Sequence, residues 1–233
     1  MKKISYFIIF LVILAVSCLK LTDLNPKLLP LLDGEQERMI YKNKDVYAQI
    51  KVAGTNIDYP IVQHPSDDSY YLRHDVNQSE TIYGAIFTEK MNRKDFKDLV
   101  TIVYGHSTND GSMFGSLERF ADSAFFQKNK RIEIDSNSKD ETITYDIFSA
   151  YSYTDDHLFQ TFDLGNPLAV PNYFETIKQI SENLTGNYRD IGYTPTDRLL
   201  ILSTCDTKDN GRRFIVHAKE TNWVKGNLPT RML

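Results

Sequence analysis

Short runs of β-branched and aromatic residues, separated by polar turns, recur along most of the chain and constrain its fold more than any other feature. Each run has the length of a strand, and turn signals such as Asp67-Asp68-Ser69 lie between them. The pattern predicts a mainly β domain with some helix. Its strands are predicted at residues 48–52, 59–63, 84–87, 99–104, 131–135, 142–153, 198–205 and 214–216.

Two segments show helical periodicity instead. A short helix with one packed face is predicted from the spacing of Met113, Phe114, Leu117 and Phe120. A longer helix is predicted just before the strand at 198–205, and Pro171 falls in its first turn, where a missing N–H is tolerated. We interpret its apolar stripe as core packing: Val170, Tyr173, Phe174, Ile177, Ile180 and Leu184.

Composition and charge limit the classes of partner. A chain of 233 residues with 41% hydrophobic and 12% aromatic residues can bury a proper core. The net charge is −4, and the first 22 residues carry three lysines and no acid, so the remainder is more acidic still. Nucleic acid is not expected as a partner, because phosphate contacts need clustered Lys and Arg. The partners should be neutral or basic.

The N-terminus indicates export. Lys2-Lys3 precede an almost uninterrupted apolar run at residues 4–19, slightly shorter than the ~20 residues of a usual membrane-spanning helix. We expect residues 1–22 to form a retained single-pass anchor with its N-terminus in the cytoplasm. A cleaved signal peptide and a lipoprotein signal at Cys18 are the alternatives. Residues 23–45 are predicted to be a polar, partly helical linker to a domain at 46–233.

Cys205 is the only cysteine outside the first twenty residues. Because exported proteins commonly pair their cysteines, a lone one is either buried and inert or a working thiol. Cys205 ends an apolar strand and precedes a polar turn at 206–211. Strand ends that meet a loop often carry catalytic groups, so this position favours a nucleophile.

A nucleophilic cysteine needs a proton carrier and a group that stabilises an oxyanion. His106 ends the strand at 99–104 just as Cys205 ends its own strand, and two such ends can meet. The other four histidines are expected to be structural or solvated: His217 packed within a strand, and His64, His74 and His157 in turns facing water.

The segments TIVYGHS, DGSMFGSLERF and LSTC…RRFIVHAK have the order and spacing of the sortases, cysteine transpeptidases of Gram-positive cell surfaces. The chain resembles that family over about residues 46–219. The stretch IDYPIVQ…YYL…YGAIF and the long insert before the cysteine strand resemble class B. The resemblance implies a closed, mainly antiparallel β-barrel of about eight strands, with N-terminal helices and a long helix before the cysteine strand. Closure also removes exposed sheet edges.

The same resemblance implies the site residues. The nucleophile falls on Cys205, the histidine on His106 and the arginine on Arg213, which directly precedes the segment FIVHAK; Arg212 is expected to be a solvated surface charge. The expected contacts to the substrate are Ser203, Thr204, Leu72, Leu158 and Phe159.

The implied reaction consists of two acyl transfers. A C-terminal sorting motif of another exported protein is cleaved after its threonine, and the acyl group passes to an amine of the peptidoglycan peptide. No metal or organic cofactor is implied; residues 135–140 begin like a calcium loop but lack its glycine. Two alternatives stay open: a cysteine hydrolase that uses water as acceptor, and a non-catalytic anchored barrel.

Overall fold

A computed structural model of the protein describes residues 42–136, 141–154, 169–184, 186–205 and 212–221. The expected anchor, its alternatives and the N-terminal helices lie outside these residues. Among the residues described, no helix combines the length and apolarity needed to cross a membrane. Internal contacts divide the chain into Met1–Lys42 and Asn43–Leu233, and the fold below is that of the second unit.

The described residues form nine strands and two α-helices. The strands are β1 Val46–Val52, β2 Asp58–Val62, β3 Ile86–Phe87, β4 Val100–His106, β5 Arg131–Ser136, β6 Glu141–Thr154, β7 Asn187–Tyr188, β8 Leu199–Cys205 and β9 Arg212–Glu220. The helices are α1 Ser123–Lys128 and α2 Val170–Asn183, and two 3₁₀ helices span Tyr70–Leu72 and Gly115–Ala121.

Eight of these strands close into a barrel. They pair in the order β5-β1-β2-β3-β4-β8-β9-β6, and β6 pairs back onto β5, while β7 adds to β6 outside the circuit. Within the described chain, only the β2–β3 and β4–β8 pairs are parallel. The mainly antiparallel closed barrel, the strand number and the long helix before the cysteine strand are thereby confirmed.

The differences from the sequence prediction lie at element ends. β3 begins at Ile86 rather than residue 84, because Gly84 has φ +59°, which no strand residue adopts. The short helix expected near Phe114 is a 3₁₀ helix at Gly115–Ala121, and the extended Asp122 separates it from α1. β7 was not predicted, since two residues are too few to show a period.

The barrel wall is buried on both faces around β8. Leu200 and Leu202 belong to an interior cluster that receives residues from every barrel strand. Leu199 and Ile201 belong to a second cluster, on the outer face, which α2 covers with Tyr173, Phe174 and Ile177 among others. A strand covered on both sides reads as an unbroken apolar run, which is why residues 199–202 show no alternation.

His217, on β9, connects β6 and α2 in this outer layer by hydrogen bonds. It is completely buried, and its ring nitrogens hydrogen-bond the hydroxyls of Tyr151 on β6 and Tyr173 on α2. Burial lowers the pKa of His217 to about 3, because a charged ring could not be solvated there. The expectation that His217 is packed within a strand is confirmed.

Candidate active site

β4 and β8 bring the histidine and the cysteine together. The two strands run parallel and pair in register from Val100–Leu199 to a last pair, His106–Cys205. Both strands are buried and mostly apolar up to this point, so the core fixes their register and places the polar pair at the end. In-register neighbours on adjacent strands lie on the same face of a sheet.

β9 adds the arginine to the same row. It pairs antiparallel with β8 through Ser203–Ile215, and this register, continued by two residues, sets Arg213 opposite Cys205. Positions 106, 205 and 213 therefore form one row across three adjacent strands, on the outer face of the barrel. Arg212, the preceding residue of β9, lies on the opposite face of the strand and is exposed, whereas Arg213 is half-buried.

The His106 ring is held by backbone atoms. Its Nε2 lies 2.7 Å from the carbonyl oxygen of Leu72, and since a carbonyl only accepts, Nε2–H is the donor. Its Nδ1 is buried and has no hydrogen-bond partner in the described part of the chain. The backbone carbonyl of His106 accepts a hydrogen bond of 2.9 Å from the N–H of Phe114.

Hydrogen bonds also fix the turn that carries Leu72. The neighbouring Tyr71 is 1% exposed, and its hydroxyl donates to Asp45 Oδ2 at 2.7 Å and accepts from Asn43 Nδ2 at 2.7 Å. Burial raises the pKa of Tyr71 to about 12. The Tyr71 carbonyl accepts from the N–H of Ala85 at 2.9 Å. The Leu72 carbonyl thus faces His106 from a well-braced turn.

The remaining histidines near this turn depart from expectation. His64 and His74 both stack on the Tyr70 ring, with centroid distances of 4.3 and 3.9 Å. Both are half-buried rather than turned to water, which corrects that prediction. The aromatic ring of Tyr70 attracts them because flat π-faces pack well together. His157 lies outside the described residues.

The expected substrate contacts are placed as follows. Leu72 is half-buried beside His106. Ser203 and Thr204 are each 1% exposed, and the Thr204 hydroxyl accepts the backbone N–H of Phe214 at 2.8 Å. Leu158 and Phe159 lie outside the described residues. A role in binding stays a prediction for all five.

The sequence analysis missed two parts of the site, the Leu72 carbonyl and Gly84. A backbone carbonyl leaves no signal in the residue types, and Gly84 was read as the start of a strand. The one sequence signal for a special backbone position was a glycine shortly before the apolar pair of β3.

Among the described residues, no group of three or more His, Cys, Asp or Glu is arranged to hold a metal ion.

Known proteins are similar to this chain in sequence and in fold. The sortase domain family matches residues 50–221. Sortase B of Listeria monocytogenes is 33% identical over 176 residues, which cover 74% of this chain and 69% of that protein. Sortase B of Staphylococcus aureus is 31% identical over 179 residues, covering 76% of this chain and 70% of that protein.

Solved structures agree with these sequence matches. The Staphylococcus aureus sortase B–substrate complex superposes with a TM-score of 0.70 at 29% identity, covering 84% of this chain and 91% of that one. Clostridium perfringens sortase B superposes with a TM-score of 0.67 at 30% identity, covering 80% and 100%. With the closed barrel and the long helix before β8, these matches establish that the chain belongs to the sortase family and is a cysteine transpeptidase of class B.

Proposed function

We propose that Cys205, His106 and Arg213 are the catalytic residues of this transpeptidase. The enzyme cleaves exported proteins at a C-terminal sorting motif and joins them to an amino group of peptidoglycan. The observation that carries the assignment is the single row formed by these three positions on β4, β8 and β9. A nucleophile, a proton carrier and an anion-binding group occupy neighbouring strands there, as acyl transfer requires.

In the first transfer, the Cys205 thiol gives its proton to His106 as its sulfur attacks the carbonyl carbon of the motif's threonine. Arg213 stabilises the negative charge that develops on the carbonyl oxygen, because its planar guanidinium offers two parallel donors. His106 gives a proton to the departing amine, the peptide bond breaks, and a thioester to Cys205 remains.

In the second transfer, an amino group of the wall peptide attacks the thioester carbon. His106 takes the proton that the amine loses and gives it to the Cys205 sulfur as the carbon–sulfur bond breaks, and a new amide bond forms. Cys205 is released in its starting state and can begin another turnover. Water as the attacking group would give hydrolysis instead.

The contacts to the substrate are proposed from the positions of residues relative to the catalytic row. Ser203 lies two positions before Cys205 and shares its parity along β8, while Leu72 adjoins His106. These two are supported by their place next to the row. Thr204 has the opposite parity and supports the strand pair through its hydroxyl. Leu158 and Phe159 would complete the groove.

The location is proposed from the sequence. Sortases belong to the cell surface, and here Lys2-Lys3 with the apolar run at 4–19 supports an N-terminal anchor. Fractionation of cells that make the full chain tests this. We expect the protein in the membrane fraction, open to protease added outside. A processed protein in the medium would instead indicate a cleaved signal peptide.

The experiment for the reaction uses the purified protein and peptides copied from sorting motifs of exported proteins of the same genome. Each peptide is incubated with and without a short peptide that carries a free amino group. We expect cleavage after threonine, with a ligated product when the amine is present. Hydrolysis alone with every amine would favour the hydrolase, and a Cys205 that resists a mild thiol-reactive probe would favour the non-catalytic barrel.

A further inference from the structure

Gly84 lies against both the Leu72 carbonyl and the His106 ring. Its φ is +59°, and a Cβ built on it would come within 2.5 Å of the Tyr71 carbonyl oxygen, 2.9 Å of the Leu72 carbonyl oxygen and 3.0 Å of His106 Cδ2. Two of these atoms are backbone atoms of a braced turn, so they cannot move aside as a flexible side chain could. Only glycine allows this close approach.

This approach has a chemical consequence for His106. A neutral imidazole carries one proton, on either Nδ1 or Nε2, and the hydrogen bond of one nitrogen decides which. The Leu72 carbonyl, 2.7 Å from Nε2, holds the proton there. Nδ1 is then left with a free lone pair, and it is this nitrogen that is buried without a partner in the described part of the chain.

The arrangement is braced before substrate arrives. The Tyr71 carbonyl accepts from Ala85 N–H, the residue after Gly84, which ties the two backbone segments together beside the ring. The Tyr71 hydroxyl is bonded to Asn43 and Asp45. A carbonyl fixed in this way orients an imidazole with little reorganisation during the reaction.

We infer that Gly84 is a positioning residue: it lets the Leu72 carbonyl hold the His106 proton on Nε2, so that Nδ1 is the nitrogen that exchanges protons in the transfer. This inference rests on the proposed catalytic role of His106. It assigns the tautomer of His106 and the ring nitrogen that exchanges protons, and it explains the glycine of the YGAIF segment by its effect on the reaction.

The kinetic test compares Gly84→Ala with Gly192→Ala. Gly192 has a similar φ of +62°, but no described atom lies within 4 Å of its would-be Cβ. Both variants therefore carry similar backbone strain, but only the Cβ of Gly84→Ala would clash with the Leu72 carbonyl oxygen and the His106 ring. We expect Gly84→Ala to lower kcat by about 10- to 100-fold with little change in KM, since small misplacement of a catalytic group has effects of that order. Gly192→Ala should keep the wild-type kcat.

The spectroscopic test reads the tautomer directly. ¹⁵N–¹H spectra of histidine-labelled protein are recorded at high pH in a Cys205→Ala background, so that the rings are neutral and no thiolate pairs with them. The His106 signals are identified by their loss in His106→Ala. We expect a proton on Nε2 and none on Nδ1, and a shift toward the other tautomer when Gly84→Ala is added.

Three outcomes would overturn the inference. One is a proton on Nδ1 of His106 without the Gly84 substitution; this decides the matter even if Gly84→Ala fails to fold. The others are a Gly84→Ala enzyme as active as Gly192→Ala, and a slow Gly84→Ala enzyme with unchanged His106 signals. An active His106→Ala enzyme would instead contradict the proposed function, so the two failures are distinguishable.

Discussion

His106 and Cys205 are the last residue pair of the parallel ladder between β4 and β8. No hairpin connects these strands, and a long stretch of chain that includes β5, β6 and α2 lies between them. Their register is set by the apolar residues that precede them, which pack on both faces of the wall. The core therefore positions the site, and substitutions at the pair itself should affect chemistry more than folding.

Cys205→Ala should abolish thioester formation and leave the fold almost unchanged. The substitution deletes one sulfur atom at a strand end, and the cost of deleting buried atoms grows with the cavity left behind. Peptide cleavage and the midpoint of urea unfolding, measured on the same preparation, check this. A variant that still cleaves the peptide, or one that is unfolded, would show that the nucleophile is misassigned.

His106→Ala should reduce turnover by at least ~10²-fold, the low end of what general acid–base catalysis contributes. His64→Ala and His74→Ala remove rings that stack on Tyr70, outside the catalytic row, and should lose only a few-fold. His157→Ala should stay near wild type. Steady-state rates of the four variants decide the assignment, and it fails if one of the other three is inactive while His106→Ala turns over.

The sequence predicted the eight barrel strands and the strand-end positions of His106 and Cys205, because both depend on local pattern, whereas Arg213 came from the resemblance to the sortases. The unbroken apolar run of 199–202 is typical of a strand covered on two faces, as β8 is, and the polar residues after it marked the strand end. What stayed hidden depends on backbone geometry and tertiary packing. The positive φ of Gly84, the Leu72 carbonyl and the stacking of His64 on Tyr70 arise only when distant segments meet.

Arg213→Lys should be severely impaired although the charge is kept, because lysine lacks the planar fork that holds an oxyanion with two donors. Arg212→Lys and Arg212→Ala should change little, since Arg212 is exposed and has the opposite parity on β9. Parallel rate measurements on the three variants test the register. An inactive Arg212→Ala with an active Arg213→Lys would mean that the strand is misread by one residue.

The free energy of unfolding should fall as the pH decreases from about 6.5 toward 3. His217 takes up its proton only near pH 3 in the folded state, whereas in the unfolded chain it does so near its ordinary pKa of 6.5. Between these values the unfolded state binds more protons, so this residue alone removes up to about 1.4 kcal/mol of stability per pH unit.

The matched variant for this pH dependence is His217→Gln, which can hydrogen-bond the two tyrosines but does not titrate. Urea unfolding at several pH values should give a shallower decline for the variant, although its stability at neutral pH is lower. If both proteins lose stability in parallel, His217 is not the group responsible.

The central claim is that Cys205 carries the acyl group between the two transfers, and intact-protein mass spectrometry tests it most directly. The protein is incubated with a sorting peptide, quenched in acid and weighed, and the modified residue is located by fragmentation. We predict a mass increase on Cys205 equal to the peptide fragment ending in threonine less one water, as a thioester requires. This adduct should disappear with formation of the ligated product when the amine is added. A peptide cleaved with no adduct on Cys205, or with the adduct on another residue, would contradict the account.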